Sequence, residues 1–102
     1  MPPEERTKCR TPAAGRDGVT RIPTWKYQAV RRAILAAIDA AGPEGLAFKE
    51  LPGRVKALMD PSELARLGSV GWHCTTVKLN MEVEGEIARL PGTGAQRIVR
   101  AI

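Results

Sequence analysis

The sequence predicts an α+β domain in which three helices form a core and a C-terminal β-hairpin follows. Three observations predict it. Apolar residues recur at helical spacing in three stretches between residues 24 and 85. A glycine, Gly85, closes the last and longest of them. Beyond it, two β-prone segments, 86–90 and 95–102, flank the turn sequence Pro91-Gly92-Thr93-Gly94. With 102 residues, 43% hydrophobic and 26% charged, the chain has the size and balance of one soluble globular domain, which excludes a two-domain enzyme.

Residues 1–23 carry Pro2, Pro3, Pro12, Pro23, Gly15 and Gly18 among scattered apolar residues. That composition disfavours helix and predicts a flexible basic arm, with the domain proper at 24–102. From Thr24, a potential cap, Val30, Ile34, Ala37, Ile38 and Ala41 recur at helical spacing and predict the first helix, ended by Gly42-Pro43. Gly45 to Phe48 is long enough for one stub of strand. Leu51, Val55, Leu58 and Met59 then predict the second helix, with Pro52 tolerable only in its first turn. Asp60-Pro61-Ser62-Glu63 reads as a cap, a first-turn proline and a capping-box acid, predicting a brief helical turn to Leu67. Ser69 or Gly68 then caps the third long helix, which runs to Gly85.

The net charge of +5 is unevenly placed. Residues 1–32 hold eight bases and three acids, whereas residues 33–102 hold eight of each. The excess therefore belongs to the arm and the first helix, where it serves either as phosphate attraction or as solubilising charge. Cys9, Cys74 and His73 are the chain's only cysteines and histidine. They cannot complete a Cys/His zinc site, so neither a metal nor another cofactor is expected. No apolar run approaches the roughly 18 residues of a membrane span, and no targeting segment is visible. A cytoplasmic protein with free thiols is the expectation. His73 and Cys74 are adjacent, but neighbours on a helix point about 100° apart, so a base-and-nucleophile pair is disfavoured and no enzyme is expected.

The third long helix has two apolar stripes. Val70, Cys74, Val77 and Met81 form one, which predicts the core face. Trp72, Thr76, Leu79 and Val83 form the other, roughly opposite. Three occupants fit this second stripe: the protein's own arm with Ile22 and Trp25 as lids, a second copy or partner, or DNA. Lys78 is the helix's only base, and Lys78 and Asn80 are its only candidates for reading base edges. Arg31 and Arg32 on the first helix, with Arg89, Arg97 and Arg100 on the hairpin, are candidate phosphate contacts.

Three helices, the third closed by glycine and followed by a two-stranded hairpin, resemble the layout of a winged helix-turn-helix domain. The run from Thr75 to Ile87 is similar to the recognition helix and first wing strand of such domains, with Met81, Gly85 and Ile87 at the matching places. The stretch from Tyr27 to Arg97 also resembles an uncharacterised family of small bacterial proteins, through Tyr27, Gly71-Trp72, Thr76-Val77, Leu79, Met81-Glu82 and Gly85. This resemblance implies a fold and carries no activity with it.

Two functions follow as expectations. The leading one is a nucleic-acid-associated, transcription-regulator-like module in which the basic arm, Arg31, Arg32 and the wing arginines Arg89, Arg97 and Arg100 contact the phosphates of double-stranded DNA while Lys78 and Asn80 read base edges. The rival is an interaction module that forms a homodimer or docks a partner through Trp72, Leu79 and Val83, with no nucleic acid bound. Neither involves a membrane.

Overall fold

The computed structural model, which describes residues 5–10, 20–91 and 96–101, is α+β, with four helices and two small antiparallel sheets among those residues. In chain order the elements are β1 (Arg6–Cys9), β2 (Thr20–Pro23), α1 (Thr24–Ala41), β3 (Leu46–Ala47), a 3-10 turn (Phe48–Glu50), α2 (Leu51–Leu58), α3 (Pro61–Leu67), α4 (Val70–Val83), β4 (Ile87–Arg89) and β5 (Arg97–Arg100). Residues 92–94 of the expected turn and much of the expected arm, residues 1–4 and 11–19, lie outside the described residues.

Helix α1 turns one face inward through Tyr27, Val30, Ile34, Ala37 and Ile38, and packs on α2 and α4. Across from it, Leu51 and Val55 of α2 and Cys74, Val77 and Met81 of α4 complete the helical core. Each Val, Leu, Ile or Met among them contributes about 1.5–3 kcal/mol by leaving water. Leu58, expected on the inner face of the second helix, is instead half exposed, and Met59, one residue past the helix end, is buried in its place.

The helix ends follow local chemistry. Asp60 precedes Pro61, and its amide donates to Glu63 Oε1 at 3.2 Å, closing a capping box on α3. Ser69 caps α4, its hydroxyl accepting from the Trp72 amide at 3.1 Å. At the other end of α4 the Gly85 amide donates to Glu82 O and the Glu86 amide to Met81 O, with Gly85 at φ 77°. These two bonds make a Schellman closure, which redirects the chain into β4. Thr24, expected as a cap, is already the first residue of α1, and its hydroxyl shares a 2.8 Å hydrogen bond with that of Thr7.

The larger sheet has the order β3–β5–β4, all antiparallel. The stub after α1 thus joins the C-terminal hairpin as a third strand, with Leu46 opposite Ile98, both buried. The smaller sheet was not expected. Residues 6–9 and 20–23, read from sequence as flexible arm, form the paired strands β1 and β2 and pack on α1 and α4. Cys9 and Ile22 enter the main core from this ribbon, so Cys9 is not an exposed thiol. Ribbon and helix are continuous at Pro23–Thr24, and the Thr24 amide donates to Glu5 O at 2.8 Å.

Gly45 and Gly85 both sit at positive φ, which costs a side-chain-bearing residue about 1–2 kcal/mol. They differ in surroundings: a Cβ on Gly45 would lie 2.9 Å from the Ile98 carbonyl, whereas one on Gly85 meets nothing within 4 Å. Urea unfolding should therefore show Gly85→Ala losing about 1–2 kcal/mol and Gly45→Ala losing clearly more. Burial also pushes the Cys74 thiol up to about 11, and raises Cys9 and Tyr27 in the same direction. The folded state then keeps protons that the unfolded chain, with thiols near 8.5, releases. Stability is complete below about pH 8.5 and falls as pH rises towards 11, by on the order of 2 kcal/mol for Cys74. Urea midpoints between pH 7 and 10.5 should show this fall, and Cys74→Ala should reduce it to the part that Cys9 and Tyr27 contribute.

Candidate nucleic-acid interface

The polar residues expected to read base edges are not on the surface. Asn80 is 3% exposed: its Nδ2 donates to Tyr27 Oη at 2.7 Å, and its Oδ1 accepts from the Arg10 amide at 2.9 Å. Lys78 is also 3% exposed, with Nζ 2.8 Å from Glu82 Oε1, 2.5 Å from Gln96 Oε1 and 4.6 Å from the centre of the Phe48 ring. Moving either side chain into a groove would strip buried groups of their partners, at about 1–3 kcal/mol each. Asn80 and Lys78 therefore hold the fold together and are withdrawn as base readers. Asn80 ties the ribbon to α4, and Lys78 ties the wing side to it through Gln96.

The arginines expected on phosphate are largely engaged with carboxylates. Arg31 Nε meets Glu86 at 2.7 Å, Arg32 grips both oxygens of Glu63 at 3.1 and 3.2 Å, and Arg100 is bidentate on Asp39 at 2.7 and 2.9 Å. The Asp39 contact raises the Arg100 pKa further. Arg89 lies 3.9 Å from Glu82, and Arg97 donates to the Gly45 carbonyl at 3.2 Å. These contacts are solvent-facing and individually weak. They neutralise Arg31, Arg32 and Arg100, whereas Arg97 bonds only a neutral carbonyl and Arg89 shares Glu82 with Lys78.

The ribbon is different. Alternation along β1 turns Thr7 and Cys9 inward and leaves Arg6, Lys8 and Arg10 exposed on the outer face, where Arg21 of β2 joins them. Lys8 and Arg21 are directly opposite in the register. Like charges so placed repel. No carboxylate of the described residues forms an ion pair with any of the four. Sequence reasoning expected the arm as a whole to contact phosphate but did not single out these four residues, because it took the segment for a flexible arm. The signal available was the polar–apolar alternation of Arg6-Thr7-Lys8-Cys9.

The second stripe of α4 is where the sequence put it, opposite the core. Trp72 is 48% and Val83 40% exposed, with Leu79 half-buried between them. Neither expected lid is free to cover it: Ile22 is buried in the main core, and Trp25 lies beneath Arg66 and Lys26, with ring contacts of 4.9 and 5.7 Å. The Trp72 ring is steadied by a perpendicular contact with His73 at 4.9 Å. The His73 Nδ1 in turn donates to the Ser69 carbonyl at 2.7 Å.

Elsewhere, an open groove of about 400 Å³ runs between the end of α1 and the wing, lined by Ile38, Pro43, Leu90 and Val99. Its two charged residues, Asp39 and Arg100, satisfy each other, so no polar group is left to orient a ligand there. Among the described residues, no cluster of three or more His, Cys, Asp or Glu is placed to hold a metal, and no helix is long and apolar enough to cross a membrane.

A family model described as "Family of unknown function (DUF6958)" matches residues 6–98. The match begins at the first residue of β1 and reaches β5, so it takes in the ribbon as well as the helices. No curated protein and no solved structure matches the chain.

Asn80→Ala should leave the Tyr27 hydroxyl without its donor and the Arg10 amide without its acceptor. The expected loss is about 2 kcal/mol in urea unfolding. Faster hydrogen exchange at the Arg10 amide than in the parent protein should accompany it, reporting release of the ribbon from α4.

Proposed function

We propose that this chain, which belongs to the family of unknown function DUF6958 over residues 6–98, is a winged-helix module that binds nucleic acid through its N-terminal ribbon and carries no catalytic role. The sheet order β3–β5–β4 supports the fold reading. In a winged-helix domain a short strand follows the first helix and pairs with the hairpin that follows the last, as β3 does here. Helix α3 is then an extra turn between the second and the recognition-type helix.

The observation that carries the function is the outer face of the ribbon. Arg6, Lys8, Arg10 and Arg21 stand together there without a carboxylate partner among the described residues, while Arg31, Arg32 and Arg100 each have one. Setting Lys8 opposite Arg21 costs stability, and a polyanion relieves that cost by neutralising both. Phosphate is the matching chemistry, and the flexible stems of the four side chains suit a backbone rather than a base edge. Arg89 and Arg97 take a secondary part, because each gives up only a weak contact.

A second reading rests on the exposure of Trp72 and Val83: an interaction surface on α4 through which two copies associate. Under that reading Leu79→Asp converts a dimer into a folded monomer, as judged by light scattering.

Fluorescence anisotropy with labelled mixed-sequence DNA, single- and double-stranded, tests the first reading. Affinity should fall steeply with salt. With four phosphate contacts, the slope of log K against log salt should be about −3. The Lys8→Glu/Arg21→Glu double variant should bind at least ~10-fold more weakly, with a slope reduced by about 2, whereas Arg100→Gln should stay within about twofold. No binding at low salt, or unchanged binding by the ribbon variant, overturns the proposal.

A further inference from the structure

We infer that the nucleic acid this module takes is single-stranded, with its phosphates on the ribbon and its unstacked bases on the outer stripe of α4; the inference rests on the ribbon being the phosphate contact. The strongest base-edge readers are Arg, Lys, Asn and Gln on the outward face. The helix has one Lys and one Asn, and both are buried and bonded inside the protein. Its outward face presents Trp72, Leu79 and Val83, with Thr75 and Thr76 beside them. An indole and branched alkyl groups offer a groove little beyond contact with a thymine methyl. They match the π-face of a base that has left its stack.

The neighbours of this stripe supply the rest. Asn80 receives the Arg10 amide, which sets the end of β1 beside the turn of α4 carrying Thr76 and Val83, four residues before and three after. Lys78 reaches Gln96 at the foot of β5. Since residues 78 and 80 lie about 200° apart around a helix, the ribbon and the wing attach on opposite flanks, and Trp72, Leu79 and Val83 fall in the arc between them. The stripe itself carries no positive charge. The ribbon beside it carries four, and Arg6, Lys8 and Arg10 repeat at roughly 6.6 Å along an extended strand, comparable with the step between phosphates of a stretched single strand. An apolar, aromatic strip with a row of bases along one edge is the pairing that non-sequence-specific single-strand binders use.

Trp72 is also prepared for such a role. Its amide is fixed by the Ser69 cap, and its ring is held edge-on by His73, itself bonded to the Ser69 carbonyl. A ring already fixed loses little freedom when a base settles on it.

The test compares a 12-nucleotide oligothymidylate with a 12-base-pair duplex in the same low-salt buffer, using the full chain, its Trp72→Ala and Trp72→Phe variants and the Lys8→Glu/Arg21→Glu variant. The expected result is tighter binding of the single strand by ~10-fold or more. Trp72→Ala should weaken it about 5- to 100-fold, the range typical of a lost base stack, Trp72→Phe should retain most of it, and duplex binding should not change. Tryptophan fluorescence should be quenched by the oligonucleotide in the parent protein, with the larger part of that quench absent from Trp72→Ala. Duplex bound as tightly as single strand, or a Trp72→Ala loss equal for both, overturns the single-strand inference and leaves the ribbon reading standing. No binding of either overturns both. Displacement of the oligonucleotide by polyglutamate at equal charge concentration, with no dependence on Trp72, overturns it in favour of an acidic protein partner. A parent protein that is dimeric and becomes monomeric on Trp72→Ala overturns it in favour of self-association.

Discussion

The side-chain amide of Asn80 is the interaction on which the arrangement of this protein turns. It lies out of solvent, donating to Tyr27 of α1 and accepting from the backbone of Arg10 just beyond β1. An amide in that position satisfies both neighbours at once, and each would otherwise be a polar group without a partner. Hydrophobic burial of Cys9 and Ile22 attaches the ribbon to the body, but burial is not directional. Alternation with Cys9 and Ile22 inward sets which face of the ribbon turns outward, and the hydrogen bonds of Asn80 pin its end to α4 at one position.

That orientation sorts the charges. The protein carries its positive excess in the first third of the sequence, and the fold divides those bases into two kinds. On α1, Arg31 and Arg32 reach carboxylates contributed by residues far along the chain, Glu86 and Glu63. On the ribbon, alternation holds four bases on one side. The overall charge is thus a poor guide to where an anion would settle, because many of the bases that produce it already have partners. Lys78 is the extreme case: the one base on α4, it is almost wholly enclosed by Phe48, Glu82 and Gln96.

The helices were legible in the sequence because periodicity and capping agreed. Asp60 to Glu63, Ser69 and Gly85 mark helix ends through local chemistry that tertiary context did not overrule. The strand stub at Leu46–Ala47 and the C-terminal hairpin were legible for similar reasons, although the pairing of Leu46 with Ile98 is non-local and has no signature in either segment alone. The ribbon was missed. Its strands are four residues each, separated by a Pro- and Gly-rich stretch, and their inward residues, Cys9 and Ile22, are too few for period-two alternation to stand out. Lys78 and Asn80 were misread for a different reason. Polar residues flanking an apolar stripe ordinarily face water, and only the packing of the ribbon on one side and the wing on the other puts both of them inside.

The junction at Pro23–Thr24 has a mechanical consequence. Ribbon and α1 meet there without a spacer, braced by the Glu5 carbonyl and the paired hydroxyls of Thr7 and Thr24. Tyr27 joins α1 to α4 at Asn80, and Arg10 brings the ribbon back to the same residue. Three members pinned in this way form a closed triangle, and a triangle cannot shear without stretching a side. A load applied to the outer strands is therefore delivered into the helical body as a whole, and the ribbon behaves as a bracket bolted to its frame rather than as a tether.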